Sequence, residues 1–111
     1  MRATFFKLVA FCSILPATFA DYWSVGFYES GDCTGIEPDA FGDSVTYGCT
    51  ALNSRLSFNS ASATVTGNFD VYVYEDSNCG ISDGFGWANA GCTQGAWTAF
   101  KVVPSGGSPE S

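Results

Sequence analysis

The sequence predicts an all-β fold in which two similar units pack face to face as a sandwich. Three observations indicate this. Apolar and polar residues alternate in 23–28 and again in 69–74, which is the period of a half-buried strand. Both stretches end in turn-rich clusters, ESGDCTG and EDSNCG. Another sequence pattern, Gly-Cys-Thr followed by a polar gap and an apolar stretch, also occurs twice, in 47–58 and 90–103.

The N-terminal segment has the pattern of a secretory signal peptide. Arg2 and Lys7 flank a short apolar run, Pro16 breaks it, and Thr18-Phe19-Ala20 places small residues at the −3 and −1 positions. The run is too short to span a bilayer. We therefore expect residues 1–20 to be removed after Ala20 and the protein to be secreted.

The number of cysteines agrees with secretion into an oxidising medium. Cys12 lies in the predicted signal, which leaves four cysteines: Cys33, Cys49, Cys79 and Cys92. Four cysteines in a small extracellular domain predict two disulfides, with three connectivities that spacing alone leaves open. A zinc site is disfavoured because the chain has no histidine and no close Cys-x-x-Cys pair.

Charge narrows the classes of partner. After cleavage the chain keeps two cations, Arg55 and Lys101, with all eleven carboxylates, a formal charge of −9. Such a surface disfavours nucleic acid and anionic membranes. We expect no nucleic-acid partner, no membrane span and a monomer.

The remaining elements follow along the chain. Apart from the two alternating stretches, strands are predicted at 44–49, 55–59, 63–66, 84–88 and 97–103. The Ser/Ala/Thr/Gly stretch 60–67 is expected to join the two units, and the Pro/Gly/Ser-rich residues 104–111 are expected to be a flexible tail. The domain would be 21–103, with unit one at 21–60 and unit two at 68–103. Each unit has about the length of one four-stranded Greek key.

Two stretches of the sequence resemble motifs of a known family. VGFYESGDCTG is similar to the opening of a βγ-crystallin motif, with Phe27, Tyr28, Glu29 and Gly35 on its pattern, and LNSRLSF resembles its closing strand. The second opening, EDSNCG, departs from the family pattern because it is one residue shorter, so that Gly80 does not align with Gly35. In character the chain is most similar to cysteine-rich secreted proteins of filamentous fungi and to single-domain microbial killer toxins and inhibitors of that fold. The alternative fold is an immunoglobulin-like sandwich, which does not explain the repeat.

Duplication also implies a disulfide pairing. If each unit once folded as a self-contained motif, each bridge is internal to a unit. We therefore expect Cys33–Cys49 and Cys79–Cys92.

The resemblance raises the question of calcium, which many family members bind through a polar-polar-x-x-Ser/Thr stretch. Asn53, Ser54 and Ser57 would form half of one site, with Glu29 or Glu75 as a neighbour. The second copy has Gln94 and Gly95 at the polar pair, so the paired sites would be damaged and supply too few oxygen ligands. We expect no metal or other cofactor; the alternative role of Asn53 and Ser57 is turn capping.

No catalytic constellation stands out. Without histidine, and with the four cysteines oxidised, neither a Ser-His nor a Cys-His nucleophile can form. Glu29 with Glu75, or Asp32 with Asp76, could in principle hydrolyse glycosides, but all four lie in strand-end turns. We therefore expect a protein that is not an enzyme.

Two classes of binding function remain. The first is an effector or killer-toxin-like protein that meets an extracellular protein or glycan through its loops. The alternative is a protease inhibitor, a carbohydrate binder or a calcium-binding structural protein. Trp87, in the Gly-rich sequence DGFGWANAG, is the candidate contact for a sugar face or a protease cleft; the other interpretation makes it a core residue of the second unit.

Overall fold

The structure is a computed structural model that describes residues 21–110, so the predicted signal peptide lies outside the described residues. Most strands form where apolar and polar residues alternate, and the connections between them range from one residue to ten. Their bounds are β1 Tyr22–Tyr28, β2 Asp39–Asp43, β3 Tyr47–Ala51, β4 Phe58–Thr66, β5 Phe69–Tyr74, β6 Phe85–Trp87, β7 Thr93–Trp97 and β8 Ala99–Pro104. A 3-10 turn, Ala88–Ala90, follows β6. No helix among the described residues is long and apolar enough to cross a bilayer.

The strands form two four-stranded antiparallel sheets, so the predicted all-β fold is confirmed. The first sheet has the order β2-β1-β4-β7 and the second has the order β3-β8-β5-β6. Each half of the chain therefore places three strands in one sheet and its third strand, β3 or β7, in the other. The Greek-key and βγ-crystallin-like parts of the expectation stay predictions.

An aromatic core lies between the sheets. Phe100 of β8 is at its centre, with ring centroids 5.8 Å from those of Trp23 and Phe27 and 4.7 Å from that of Phe41. Val25 of β1, Val71 and Val73 of β5, and Val102 of β8 fill the space around these rings. Tilted and edge-on aromatic pairs of this kind add to the free energy of burial.

The predicted strand positions are right for β1 and β5 and partly wrong elsewhere. β4 is one continuous strand, Phe58–Thr66, where the sequence predicts two short strands and a joining stretch at 60–67, and it pairs with β1 from Tyr28↔Ser60 to Tyr22↔Thr66. Its small residues are not a linker signal here, because Ala61 and Ser60 are both buried in the folded domain and, within 60–66, only Thr64 and Thr66 are exposed. β2 was missed, since DAFGD has low strand propensity and is held by its pairing with β1. The sequence predicts one strand at 97–103, whereas the structure has two strands here: β7 ends at Trp97 and β8 begins at Ala99.

The expected disulfide pairing is wrong. The bridges are Cys33–Cys92 and Cys49–Cys79, so each joins the two halves and neither is internal to one. The exchange of the third strands is the physical reason. β3 lies beside β8, which brings Cys49 to the turn after β5, and β7 lies beside β4, which brings Cys92 to the turn after β1.

Residues 105–110, here called the C-terminal segment, belong to the predicted tail 104–111 and lie against β5. Ser105 N–H donates to Asn68 O at 3.0 Å. The hydroxyls of Tyr72 and Tyr74 donate to the carbonyls of Gly107, at 3.2 Å, and Pro109, at 2.6 Å. The outer face of the second sheet is therefore partly covered by the chain's own C-terminal residues.

Candidate binding site

Two exposed aromatic side chains stand on the edge strand of the second sheet. Phe85 and Trp87 are 44% and 48% exposed and lie two residues apart on β6, so they share one face. Together with Tyr72 of the neighbouring strand they form what is here called the β6 aromatic surface. Trp87 is thus not a core residue, and the buried interpretation of this position is wrong.

Gly86 explains why the aromatics face outward. A Cβ at this position would lie 2.6 Å from Thr93 Cγ2 and 3.1 Å from Trp97 Cη2. The inner side of β6 therefore has no room for a side chain, and the two large residues that flank Gly86 face the other way. The Phe-Gly-Trp pattern of β6 is the sequence signal for this surface.

The β6 aromatic surface is held in place by polar contacts. The indole Nε1–H of Trp87 donates to Asp70 Oδ1 at 3.1 Å, and Asp70 Oδ2 accepts the Gly106 N–H at 2.9 Å. One carboxylate therefore links the indole to the C-terminal segment. Burial raises the pKa of Tyr72, and the negative charge of Asp70 raises it further.

The surface rests on a small second core. The Phe85 ring stacks on that of Tyr74 with centroids 6.4 Å apart and meets the edge of Tyr72 at 6.3 Å. Tyr74 is fully buried, and burial raises its pKa to about 12, with a smaller contribution from Tyr72. The ammonium of the buried Lys101 lies 6.0 Å from the Tyr74 ring centroid, within the range of a cation–π contact.

The candidate calcium ligands take part in local hydrogen bonds. Asn53 Oδ1 accepts the Arg55 N–H at 3.0 Å, which is the turn-capping role. Glu75 Oε2 accepts the Ala96 N–H at 3.0 Å, and the carbonyl of Glu29 accepts from Asn59 Nδ2 at 2.8 Å. Ser57 is exposed on the loop before β4. Within residues 21–110, no three His, Cys, Asp or Glu side chains are grouped so that they could hold a metal ion.

The two turn aspartates occupy matching places. Asp32 Oδ1 accepts the Thr34 hydroxyl at 2.6 Å, and Asp76 Oδ1 accepts the Asn78 N–H at 2.9 Å. The Thr34 hydroxyl lowers the pKa of Asp32, with a further contribution from Ser30. A general acid in a glycosidase needs a raised pKa, so the shift at Asp32 is in the opposite direction.

Comparison of the chain with protein-family models, with curated proteins and with solved structures finds no match in any of the three. The likeness to βγ-crystallins and to fungal secreted proteins therefore stays a prediction from the sequence.

Proposed function

We propose that this chain is a secreted, cysteine-rich binding protein of the effector or killer-toxin type, which acts by contact with an extracellular target and not by catalysis. The observation that carries the proposal is the exposed pair Phe85 and Trp87, each of which contacts a neighbouring side chain. Two disulfides between the halves fit a protein that works in an oxidising medium.

The chemistry of the pair supports contact with another molecule. Large aromatic side chains that stay exposed on a folded domain are typical of interfaces, where they contribute much of the binding energy. The Trp87 indole donates to Asp70, and the Phe85 ring stacks on the Tyr74 ring; such contacts reduce the side-chain entropy that binding would remove. A rigid pair is therefore a better contact than two mobile rings of equal area.

The acidic groups support the absence of catalysis. The pKa of Asp43 is lowered by the Ser44 N–H and then by the Tyr47 hydroxyl, and that of Asp32 is lowered by neighbouring hydroxyls. Both groups are stabilised as carboxylates, which suits a surface or turn role more than proton transfer.

Carbohydrate binding is the second candidate, and the exposure of Trp87 favours it. An exposed indole can stack on the apolar face of a sugar ring. The neighbouring Asp70 carboxylate, at 3.1 Å from the indole nitrogen, adds acceptors at the margin of the ring.

The test is sedimentation of the purified protein with living microbial cells and, separately, with insoluble cell-wall polysaccharides. We expect co-sedimentation that Trp87→Ala weakens by about tenfold or more, the loss typical of a central interface aromatic. Tyr22→Ala is the matched control, because Tyr22 is 49% exposed but lies in the first sheet. Binding to cells alone favours the effector or toxin role, and binding to polysaccharide favours the carbohydrate role.

Equal losses in the two variants, or none in Trp87→Ala, would show that the β6 aromatic surface is not the contact. Turnover of a polysaccharide or peptide substrate by the wild-type protein would contradict a non-catalytic role. Circular dichroism of each variant separates loss of contact from loss of fold.

A further inference from the structure

A cavity of about 220 Å³ lies at one end of the sandwich, between the loop that leads from β3 to β4 and the break between β7 and β8. Its apolar part is formed by Leu52, Leu56, Phe58 and Trp97. Leu52, Phe58 and Trp97 are also members of the main core, so this part of the cavity cannot collapse without moving the core. It is called the loop cavity below.

The walls of the loop cavity are tied together by backbone hydrogen bonds. Leu52 N–H donates to Thr98 O at 2.9 Å, which joins the loop to the break between β7 and β8. Leu56 N–H donates to Asn53 O at 3.1 Å, which closes the loop on itself. Asn53 N–H donates to Asp39 Oδ2 at 3.2 Å, which anchors the loop to β2. The cavity is therefore formed before any ligand arrives, and binding costs little ordering of the chain.

The rim of the loop cavity is polar but uncharged. Ser54, Ser77 and Thr98 supply hydroxyls, and Asn53 supplies a side-chain amide. Thr98 Oγ1 donates to Glu75 O at 2.9 Å, which orients this hydroxyl so that its lone pairs can accept from a ligand. None of the described residues that line the cavity is Asp, Glu, Lys or Arg. A charged ligand would find no partner there, and an anion would also meet the net negative charge of the protein.

The volume of the loop cavity limits the size of the ligand. A volume of about 220 Å³ is below the range of roughly 300–1,000 Å³ that holds drug-sized molecules. The loop cavity therefore suits a single ring. Since it has an apolar floor and a rim of hydroxyl and amide groups, the ring that fits has one apolar face and hydroxyl groups at its edge.

We propose that the loop cavity binds one neutral pyranose ring, such as the terminal sugar of a glycan. The inference does not rest on the proposed function, because the loop cavity shares none of its lining residues with the β6 aromatic surface. The C–H face of the sugar would lie against Leu52, Leu56 and Trp97, and its hydroxyls would meet the rim.

The test is titration of the full, oxidised protein with neutral monosaccharides, namely glucose, mannose, galactose and N-acetylglucosamine, followed by amide NMR. We expect at least one sugar to give saturable shifts concentrated at residues 52–58 and 97–98, with weak affinity because one small ring buries little area. Glucuronic acid should bind about tenfold more weakly than its neutral counterpart, because its carboxylate has no partner in the cavity.

A paired substitution locates the site. Ser54→Trp places a bulky ring at the rim and should abolish the shifts. Ser82→Trp is the matched control, since Ser82 is likewise an exposed serine in a turn but does not line the cavity. The Ser82→Trp variant should keep wild-type affinity for the sugar.

Three results would overturn the proposal. The first is the absence of saturable shifts with every sugar at concentrations approaching solubility. The second is a set of shifts confined to Tyr72, Phe85 and Trp87, which would place the sugar on the β6 aromatic surface. The third is tighter binding of cyclohexanol or phenol than of any sugar, which would make the loop cavity an apolar-ligand site.

Discussion

At the scale of single residues, Tyr74 connects the second sheet to the C-terminal segment. Its hydroxyl donates to Pro109 O, and its buried ring supports Phe85. Burial raises its pKa from 10.0 to about 12, so the folded chain holds the phenolic proton more tightly than the unfolded chain does. The resulting stabilisation is complete below pH 10 and is lost as the pH rises from 10 to 12.

We therefore predict that Tyr74→Phe reduces the loss of stability above pH 10. At neutral pH the substitution should cost about 1 kcal/mol, the usual net value of one hydrogen bond. Between pH 10 and 12 the free energy of unfolding of the wild type should fall more steeply than that of the variant. Guanidinium titrations across this range measure both effects, with Tyr22→Phe as an exposed control. Parallel curves for wild type and Tyr74→Phe would contradict the assignment.

The backbone conformation of two cysteines in the turns after β1 and β5 could not be predicted from the local sequence. The turns after β1 and β5 were predicted from their Gly, Asp, Asn and Ser, and Gly35 in the first turn has a positive φ of 88°. Cys33 and Cys79 themselves have φ of 59° and 61°, a conformation that non-glycine residues rarely adopt. The buried hydroxyl of Ser60 helps to hold the first turn, accepting from Cys33 N–H at 2.9 Å and donating to Ser30 O at 2.6 Å. Such support from a distant strand is not visible in the local sequence.

At the scale of elements, the exchanged strands β3 and β7 determine the covalent structure. Both carry irregular pairings, between Tyr47 and Thr50 in β3 and opposite Phe58 and Ser60 of β4 in the pairing with β7. The repeat predicted that the halves are alike, and they are, since equivalent cysteines form equivalent bonds. Periodicity within one half carries no information on which sheet its third strand joins, and the pairing prediction failed for that reason.

Paired cysteine substitutions test this arrangement. Cys49→Ala with Cys79→Ala removes one bridge and should cost about 4 kcal/mol by the chain-entropy estimate, leaving the other bridge intact. Cys33→Ala with Cys92→Ala should have a similar effect. Cys33→Ala with Cys49→Ala removes one partner from each bridge and should be the most damaging combination.

Thiol titration and thermal unfolding measure the outcome. The first two variants should contain no free thiol, and the third should contain two or form disulfide-linked dimers. If the third variant folded with one internal bridge and the stability of the other two, the exchanged pairing would be wrong.

The sequence predicted one part of the β6 aromatic surface, the contact residue Trp87, but did not decide whether that residue is exposed. Trp87 was named as a contact residue because its Gly-rich surroundings are typical of a turn. Its exposure depends on the lack of space beneath Gly86, and that space is filled by Trp97 and Thr93 of a different strand. Only the packed sheets bring these residues together, so the sequence alone left the core interpretation open.

At the scale of the whole molecule, the net negative charge makes it necessary to ask whether calcium binding stabilises the fold. We predict that calcium adds little to stability, because the oxygens of Asn53 and Glu75 already accept backbone hydrogen bonds. A site of micromolar affinity would add about 4 kcal/mol at millimolar calcium. A damaged site should add almost nothing.

Thermal unfolding with millimolar calcium against chelator gives the measurement. Sodium chloride at matched ionic strength is the control, since any salt screens the repulsion among carboxylates. A rise in midpoint of several degrees that is specific to calcium, and absent when Asn53 and Ser57 are both replaced by Ala, would establish a working site.

The crossed bridges also have a consequence for biosynthesis. As the chain leaves the ribosome, Cys33 must wait for Cys92, which lies 59 residues later, whereas Cys49 becomes available much sooner. A thiol that is oxidised early would therefore join its neighbour within the same half and produce a bond that the mature fold does not contain. Correction requires attack by a free thiolate on that bond. We expect the yield of correctly bonded protein from an expression host to depend on its disulfide isomerase more than on its oxidant.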